Sequence, residues 1–210
     1  MTFKSQYTPN HAAGFTLVEL MIVVVIVAIG LALAVPSYND IVERRQTTQA
    51  AEEVASFLAQ ARGWAVKIND EVTVSTVLDG AGNWCFGMVS GTGACNCATA
   101  PANCVVEDLT GTNDAQVVLD GFDRSTTPWT PRYQKAELDS ITGTGDTTPQ
   151  EFTFDPVRGI KMTDDLAVHV YNFDSDNGNW SLNVQVDPTG RVRVCYPSDS
   201  TKDVPGYAEC

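Results

Sequence analysis

This chain turns apolar at residues 14–20, Gly-Phe-Thr-Leu-Val-Glu-Leu, and stays apolar to Val35 with a single charge, at Glu19. A helix over 15–35 rises about 1.5 Å per residue, which is enough to cross a hydrocarbon core of about 30 Å. Pro36 follows directly and is expected to end or kink this helix, because its ring disrupts the helical hydrogen bonding. The sequence therefore predicts a membrane-spanning helix near the N-terminus.

Three interpretations of this segment compete. A secretory signal peptide would use Lys4 as its charged region, Met21–Leu31 as its apolar region and Ala32-Leu33-Ala34 as its cleavage site. The second interpretation is a plain single-pass anchor. Both leave Glu19 without a purpose, although a carboxylate at the centre of a membrane span costs roughly 2.5–3.5 kcal/mol and tends to mark function.

The third interpretation rests on a family resemblance. Gly14, Phe15 and Glu19 resemble the prepilin signature of type IV pilins and type II secretion pseudopilins, and Pro36 stands where that family has its helix-kinking proline. The resemblance implies cleavage by a prepilin peptidase between Gly14 and Phe15, followed by N-methylation of Phe15. It also implies that Glu19 pairs with the new α-amino group of a neighbouring subunit during assembly, since an unpaired charge is expensive at low dielectric.

The rest of the chain is expected to follow one plan. Residues 1–14 are the leader peptide, 15–36 the transmembrane and filament-core helix, 37–68 the amphipathic half of that helix, and 69–210 a periplasmic β-rich head. Apolar residues in the third segment recur at helical spacing and need a sheet to pack on; they are Ala50, Ala51, Val54, Phe57, Leu58, Ala61, Trp64 and Ala65.

Short alternating runs between turn residues predict strands in the head. They lie at 71–78, 83–89, 104–109, 115–120, 151–154, 158–162, 166–173, 179–187 and 190–196. The stretch 121–150 is rich in Thr, Pro, Gly and Asp and is expected to be a long loop. A long helix followed by antiparallel strands predicts an α+β fold with a β-sandwich-like head. This arrangement of elements resembles that of the minor pseudopilins of the H type (GspH/FimT-like). Residues 154–159 and 190–195 also resemble that family, but they are weaker matches than the N-terminal motif.

The net charge of the chain limits the classes of partner that its surface can attract. The 210 residues include 13 Lys and Arg against 26 Asp and Glu, a formal net charge of -13. Such a balance argues against a surface that attracts nucleic acid or anionic lipid as a whole, and it leaves room for a local basic patch. Arg44 and Arg45 lie on the translocated side of the apolar segment, against the positive-inside tendency, with nearby carboxylates to offset them.

The cysteines all follow the apolar segment and number six, which favours disulfides in an oxidising compartment such as the periplasm. They are Cys85, Cys95, Cys97, Cys104, Cys195 and Cys210. Cys195 and Cys210 are candidates for a C-terminal disulfide loop worth about 3 kcal/mol. The other four allow three pairings, of which a bond between Cys95 and Cys97 is disfavoured by strain. Their spacing is not that of a usual zinc site, so we expect no metal.

Catalysis has little support. The two histidines are His11, in the leader, and His169, expected on a strand as a surface or core residue. No nucleophile, zinc-protease or phosphate-loop motif is present, and Asp174–Gly178 looks more like a solvated turn than a calcium loop. We therefore expect no enzymatic activity and no cofactor.

Arg191 and Arg193 are the most interesting polar pair. Strand alternation places them on one face, about 7 Å apart, a spacing that suits successive phosphates. Some FimT-like proteins are thought to bind DNA through such a segment, so the resemblance makes this pair a candidate DNA site. The alternative is that both arginines pair with nearby carboxylates.

Together these observations predict a minor pseudopilin or pilin, held in the inner membrane by one span with its head in the periplasm. Assembly would place it in a type II secretion pseudopilus or a type IV pilus, in an initiation or tip role. Its partners would be other pilins or pseudopilins, the prepilin peptidase, the inner-membrane assembly platform and membrane lipid. The alternatives are a DNA-binding minor pilin for transformation and a secreted disulfide-rich domain released after Ala34.

Overall fold

The computed structural model describes the backbone of residues 15–78, 83–99, 103–107, 117–123, 130–142, 150–157, 159, 161–162 and 168–210. The chain divides into a first unit, Met1–Asp40, and a second unit, Ile41–Cys210. Helix α1 covers Leu17–Ile68. Of the two outcomes expected at Pro36, the helix does not end there, and the kink stays a prediction.

The described strands of the second unit form two five-stranded sheets and a short ribbon. In chain order they are β1 (Val72–Leu78), β2 (Trp84–Ser90), β3 (Val118–Asp120), β4 (Phe122–Asp123), β5 (Thr130–Pro131), β6 (Ala136–Thr142), β7 (Gln150–Phe154), β8 (Lys161–Met162), β9 (His169–Ser175), β10 (Ser181–Val186), β11 (Val192–Tyr196) and β12 (Ala208–Glu209). The first sheet has the order β3-β2-β1-β7-β8 and the second β12-β11-β10-β9-β6, while β4 pairs with β5. Neighbours are antiparallel except β11 and β12. The fold is α+β, as predicted.

The core lies where the two sheets and the second half of α1 meet. Every second residue of the central strands is buried in it, as expected for sheets with one face inward. Trp84 of β2 meets Phe173 of β9 edge to face with ring centres 5.5 Å apart, and Phe86 meets Tyr171 at 5.1 Å. Phe57 brings the helix to the same aromatic cluster, 6.3 Å from Phe86. The predicted apolar stripe of α1 is buried here, with Trp64 half-buried at its edge.

The other face of the first sheet carries the disulfides. Because Cys85 alternates with Trp84 and Phe86, its side chain points away from the main core, into a small cluster with Cys95, Cys97, Cys104 and Phe122. The pairs are Cys85–Cys97 and Cys95–Cys104, so Cys95 and Cys97 do not bond to each other.

Gly87 of β2 lies directly beneath this second cluster. A β-carbon at Gly87 would lie 2.2 Å from the sulfur of Cys104 and 2.7 Å from that of Cys95. Real side chains do not approach so closely, so the disulfides rest against bare backbone at this position. The absence of a side chain is what lets the loop that carries Cys95 and Cys104 lie flat on the sheet.

Two sequence predictions are wrong in the head. The stretch 121–150 is not a long loop, because β6 forms within it and pairs with β9. Its Ala136 and Leu138 are buried while Glu137 and Asp139 are exposed, so the strand follows alternation that its Thr- and Asp-rich surroundings conceal. The segment 104–109 is not a strand over its described residues, where Val105 makes a single bridge. The segment is held by the disulfide of Cys104 and by the N–H of Ser90, which donates to the carbonyl oxygen of Val105 at 3.3 Å.

Turns lie at 174–178, as predicted, and at 187–190, where Asp-Pro-Thr-Gly is a pattern that β-turns favour. Gly178 donates its N–H to the carbonyl oxygen of Ser175 at 2.7 Å, and Gly190 donates to that of Asp187 at 2.9 Å. Both glycines have positive φ, which a residue with a side chain adopts only under strain. The C-terminal strand β12 was not predicted. It pairs with β11 over two residues next to the disulfide Cys195–Cys210.

Candidate functional site

The candidate assembly site begins at the first turn of α1. Thr16 precedes the helix, and its hydroxyl oxygen accepts the backbone N–H of Glu19 at 3.2 Å. The carbonyl oxygen of Thr16 accepts the N–H of Leu20, also at 3.2 Å. Thr16 is therefore the N-cap, and Glu19 occupies the first turn, where a negative charge is favoured by the helix dipole.

The apolar residues after this cap are exposed on every side of the helix. From Phe15 to Leu31 the large apolar side chains keep 52–83% of their surface accessible. A helix that is apolar all round is stable only when something outside it covers that surface. In the part of the chain that the structure covers, no helix meets the length and apolarity needed to cross a membrane. The membrane span predicted for this segment stays a prediction.

The predicted processing site lies at the N-terminal limit of the residues that the structure describes. Phe15 is the first described residue and is 83% exposed, while Gly14 lies outside the described residues. Cleavage between them and methylation of Phe15 remain predictions.

The structure places Arg191 and Arg193 on the surface at the start of β11. Both are exposed, while Val192 and Val194 between and after them pack against the core, as the alternation predicted. The expected pairing with carboxylates is not found among the described residues, where neither guanidinium has an ion pair within 4 Å. Arg193 instead donates its Nε–H to the side-chain oxygen of Gln185 at 2.8 Å. DNA binding by this pair stays a prediction.

Asp187 organises the turn before these arginines. Its carboxylate accepts the backbone N–H groups of Thr189 at 2.9 Å and of Arg191 at 3.1 Å. Burial alone favours the neutral acid, but these hydrogen bonds and the charge of Arg191 outweigh it, so the pKa of Asp187 lies below its ordinary value. The turn is thus held by an ionised carboxylate, which fixes the backbone of Arg191 and leaves its side chain outside.

The residues weighed for chemistry occupy structural positions. His169 is buried in β9 with its ring centre 4.9 Å from that of Phe152. Asp176 pairs with Lys135 at 2.8 Å, and the side-chain oxygen of Asn177 accepts the N–H of Asn179, so Asp174–Gly178 forms a hydrogen-bonded turn. Across the described residues, no three His, Cys, Asp or Glu side chains are grouped as metal ligands would be.

The cap at Thr16 is the functional detail that the sequence reasoning missed. The signal was present, because Thr16 followed three residues later by Glu19 and then an apolar run is the pattern of a capping box.

Comparison with known families gives two matches. The family described as the prokaryotic N-terminal methylation motif matches residues 9–35. The family described as type II transport protein GspH matches residues 50–190. The first match covers the predicted cleavage site, the cap and Glu19, and the second covers the buried half of α1 and most of the strands.

Individual relatives match over limited parts of the chain. A fimbrial protein of Pseudomonas aeruginosa is 39% identical over an alignment of 83 residues, and the match covers 33% of this chain and 54% of the relative. The type IV major alpha-pilin of Moraxella bovis is 47% identical over 47 residues, covering 22% of this chain and 30% of the pilin. The chain thus spans about half or less of these relatives. A crystal structure of the type IV minor pilin FimU of Pseudomonas aeruginosa aligns with a TM-score of 0.43 and 15% identity, over 72% of this chain and 90% of that one.

Proposed function

The chain belongs to the GspH family of type II transport proteins, and on that premise we propose that it is a minor filament subunit, cleaved after Gly14 and assembled through the first part of α1. The subunit would carry out no chemistry of its own. It would enter either a type II secretion pseudopilus or a type IV pilus, at the site where such a filament begins or at its tip. Its leader would be removed by a prepilin peptidase, and Phe15 would be N-methylated.

One observation carries this proposal. The second half of α1 buries its apolar stripe inside its own head, whereas the residues from Phe15 to Leu31 expose more than half of their surface on all sides. An apolar cylinder of this kind requires lipid before assembly and other apolar helices afterwards. A filament subunit uses both environments in turn, first as a membrane anchor with its head in the periplasm and then as part of a helical core.

Glu19 supplies register in this mechanism. Cleavage before Phe15 creates an ammonium group close to the first turn of α1. In a water-excluded filament core, both that ammonium and the carboxylate of Glu19 would be expensive to leave unpaired. Pairing between neighbouring subunits satisfies both charges in one axial position, so a subunit shifted along the filament would leave two buried charges unpaired.

The test compares Glu19→Gln with Glu107→Gln, which removes an exposed carboxylate from the head. Each tagged variant replaces the native protein, and sheared filaments are assayed for it. We expect Glu19→Gln to be cleaved normally yet to fall at least about tenfold in the filament fraction, because burial of one unpaired ion costs several kcal/mol. Glu107→Gln should assemble like the unmodified protein. Normal incorporation of Glu19→Gln would refute the pairing.

The same cells identify the system. Crosslinking followed by purification of the tagged protein recovers its neighbours together with its own N-terminal peptide. An N-terminal methylated Phe15 supports the processing step, whereas a mature terminus at Val35 would instead establish a secreted domain. Neighbours from a secretion platform would assign the protein to a pseudopilus, and a major pilin among them would assign it to a type IV pilus.

A further inference from the structure

A cavity of about 670 Å³ lies in the second unit between α1 and the C-terminal segment Val204–Tyr207. The helix side of the cavity presents hydrogen-bond donors from Arg44, Arg45, Thr48 and Gln49. The opposite side is formed by the less polar residues Val204–Tyr207. A site with donors on one wall and few on the other suits a ligand that has an anionic group and a less polar remainder.

Three charged side chains line this cavity, Arg44, Arg45 and Glu52, so it holds two positive charges and one negative charge. Within the described residues, neither Arg44 nor Arg45 has a carboxylate within 4 Å. Glu52 also lines the cavity, but its carboxylate accepts a hydrogen bond from the hydroxyl of Tyr207. The cavity therefore has an excess of positive charge, in a protein whose formal net charge is -13.

Arg44 is held in place by a buried aromatic ring. Its guanidinium carbon lies 5.7 Å from the ring centre of Trp180, a residue that is only 7% exposed. The amine of Lys202 approaches the same ring at 4.8 Å, which adds a third positive charge to the region.

The position of these arginines along the chain indicates which anion is available. Arg44 and Arg45 follow the end of the apolar run, at Val35, within ten residues. Positive residues are disfavoured on the translocated side of a membrane segment, so a pair retained there calls for a use. Basic residues close to a membrane segment bind the headgroups of anionic lipids. Guanidinium groups match phosphate oxygens through paired hydrogen bonds.

We propose that Arg44 and Arg45 form a binding site for a phosphate-bearing anion, and that its source is the headgroup of an anionic phospholipid. This inference rests on the proposed function, since the headgroup is within reach only if the apolar run lies in a membrane. The site would hold the head close to the bilayer surface while the subunit waits for assembly. It would be emptied when the subunit leaves the lipid for the filament.

The test uses the full processed chain in dodecyl maltoside micelles. Native mass spectrometry follows the binding of phosphatidylglycerol and of phosphatidylcholine with the same acyl chains. We expect the unmodified protein to bind phosphatidylglycerol about tenfold more tightly, as two basic residues near an anionic headgroup predict. The variant Arg44→Gln/Arg45→Gln should lose this preference. Arg44→Lys/Arg45→Lys keeps both charges and should retain most of it, which separates charge loss from misfolding.

The matched control is Arg62→Gln/Lys67→Gln, which removes two charges from the same helix away from the cavity. It should keep the lipid preference of the unmodified protein. The proposal is overturned if the Arg44/Arg45 glutamine variant keeps its preference, or if the control pair loses as much. Inorganic phosphate provides the second arm, because full displacement of the lipid by millimolar phosphate would make the ligand a soluble anion. Lipid binding is measured without assembly, so a failure of the Glu19 test would not be mistaken for a failure here.

Discussion

The two ends of α1 both carry apolar side chains, and these side chains have opposite surroundings. Leu31 in the first unit keeps 59% of its surface exposed, whereas Leu58 in the second unit is fully buried in the core, where the helix packs on the sheets. Burial of a leucine contributes about 1.5–3 kcal/mol. For the second half of α1 that contribution is made when the head folds. For the first half of α1, burial is available only against molecules outside the chain. The second half of the helix therefore stabilises the head, whereas the first half stabilises contacts with those other molecules.

The largest expected effect is a difference in head stability between two substitutions, one in each half of α1. Leu58→Ala should destabilise the head by about 3–5 kcal/mol, because it leaves a cavity in a close-packed core. Leu31→Ala deletes the same atoms from the exposed end and should leave the unfolding of the head unchanged. Urea unfolding of the full chain in detergent, followed by tryptophan fluorescence, measures both. Equal losses in the two variants would break the comparison, since Leu31 would then support the head as well.

The second prediction concerns what fixes the segment beside α1. Cys195 and Cys210 close a loop with a sequence separation of 15, and Tyr207 within it hydrogen-bonds to Glu52 of the helix. Replacing both cysteines by serine should cost about 3 kcal/mol of head stability, because the unfolded chain gains the freedom of an open loop. Urea unfolding again provides the measurement. An unchanged midpoint would show that packing of Val204, and not the disulfide, holds this segment.

The smallest effect concerns a charge in the head. Burial raises the pKa of Asp174, and the nearby carboxylates of Asp139 and Asp199 raise it further. A carboxyl whose pKa is higher in the folded state favours folding while protonated, so its contribution falls as pH rises from its ordinary pKa through the folded one. Asp174→Asn should therefore stabilise the head at pH 7, by less than about 1 kcal/mol because solvent screens a half-exposed group.

The gain from Asp174→Asn should disappear at pH 3, where both forms are neutral, and unfolding at the two pH values checks this. Asp176→Asn is the matched control, because Asp176 is paired with Lys135 and should give no gain at pH 7. A gain of equal size at both pH values would mean that the asparagine acts through a hydrogen bond and not through charge.

Periodicity and turn chemistry made much of the head predictable. The buried stripe of α1 and the glycine turns at Gly178 and Gly190 follow from spacing that a reader can count. The cap at Thr16 was equally predictable from the sequence, although the sequence analysis did not predict it.

Features that depend on contacts between distant residues were not predictable. Pairing of Cys85 with Cys97 follows from the outward face of β2 and from the path of the loop over it, neither of which is written in the spacing of the cysteines. Strand β6 is an edge strand with one solvated face, so its composition resembles that of a loop. The contact of Arg44 with Trp180 joins residues that are far apart in sequence, and only the folded head brings them together.

Gly87 limits which substitutions the head can accept while it keeps the disulfide between Cys95 and Cys104. A side chain at this position cannot coexist with the sulfur atoms of Cys95 and Cys104, so mutation away from glycine is blocked for as long as that disulfide persists. The constraint has a direction, because loss of the two cysteines would open the position to other residues, whereas gain of the disulfide requires glycine to be there first. Across relatives, we expect positions 87, 95 and 104 to change together, with the glycine arriving earlier than the cysteines.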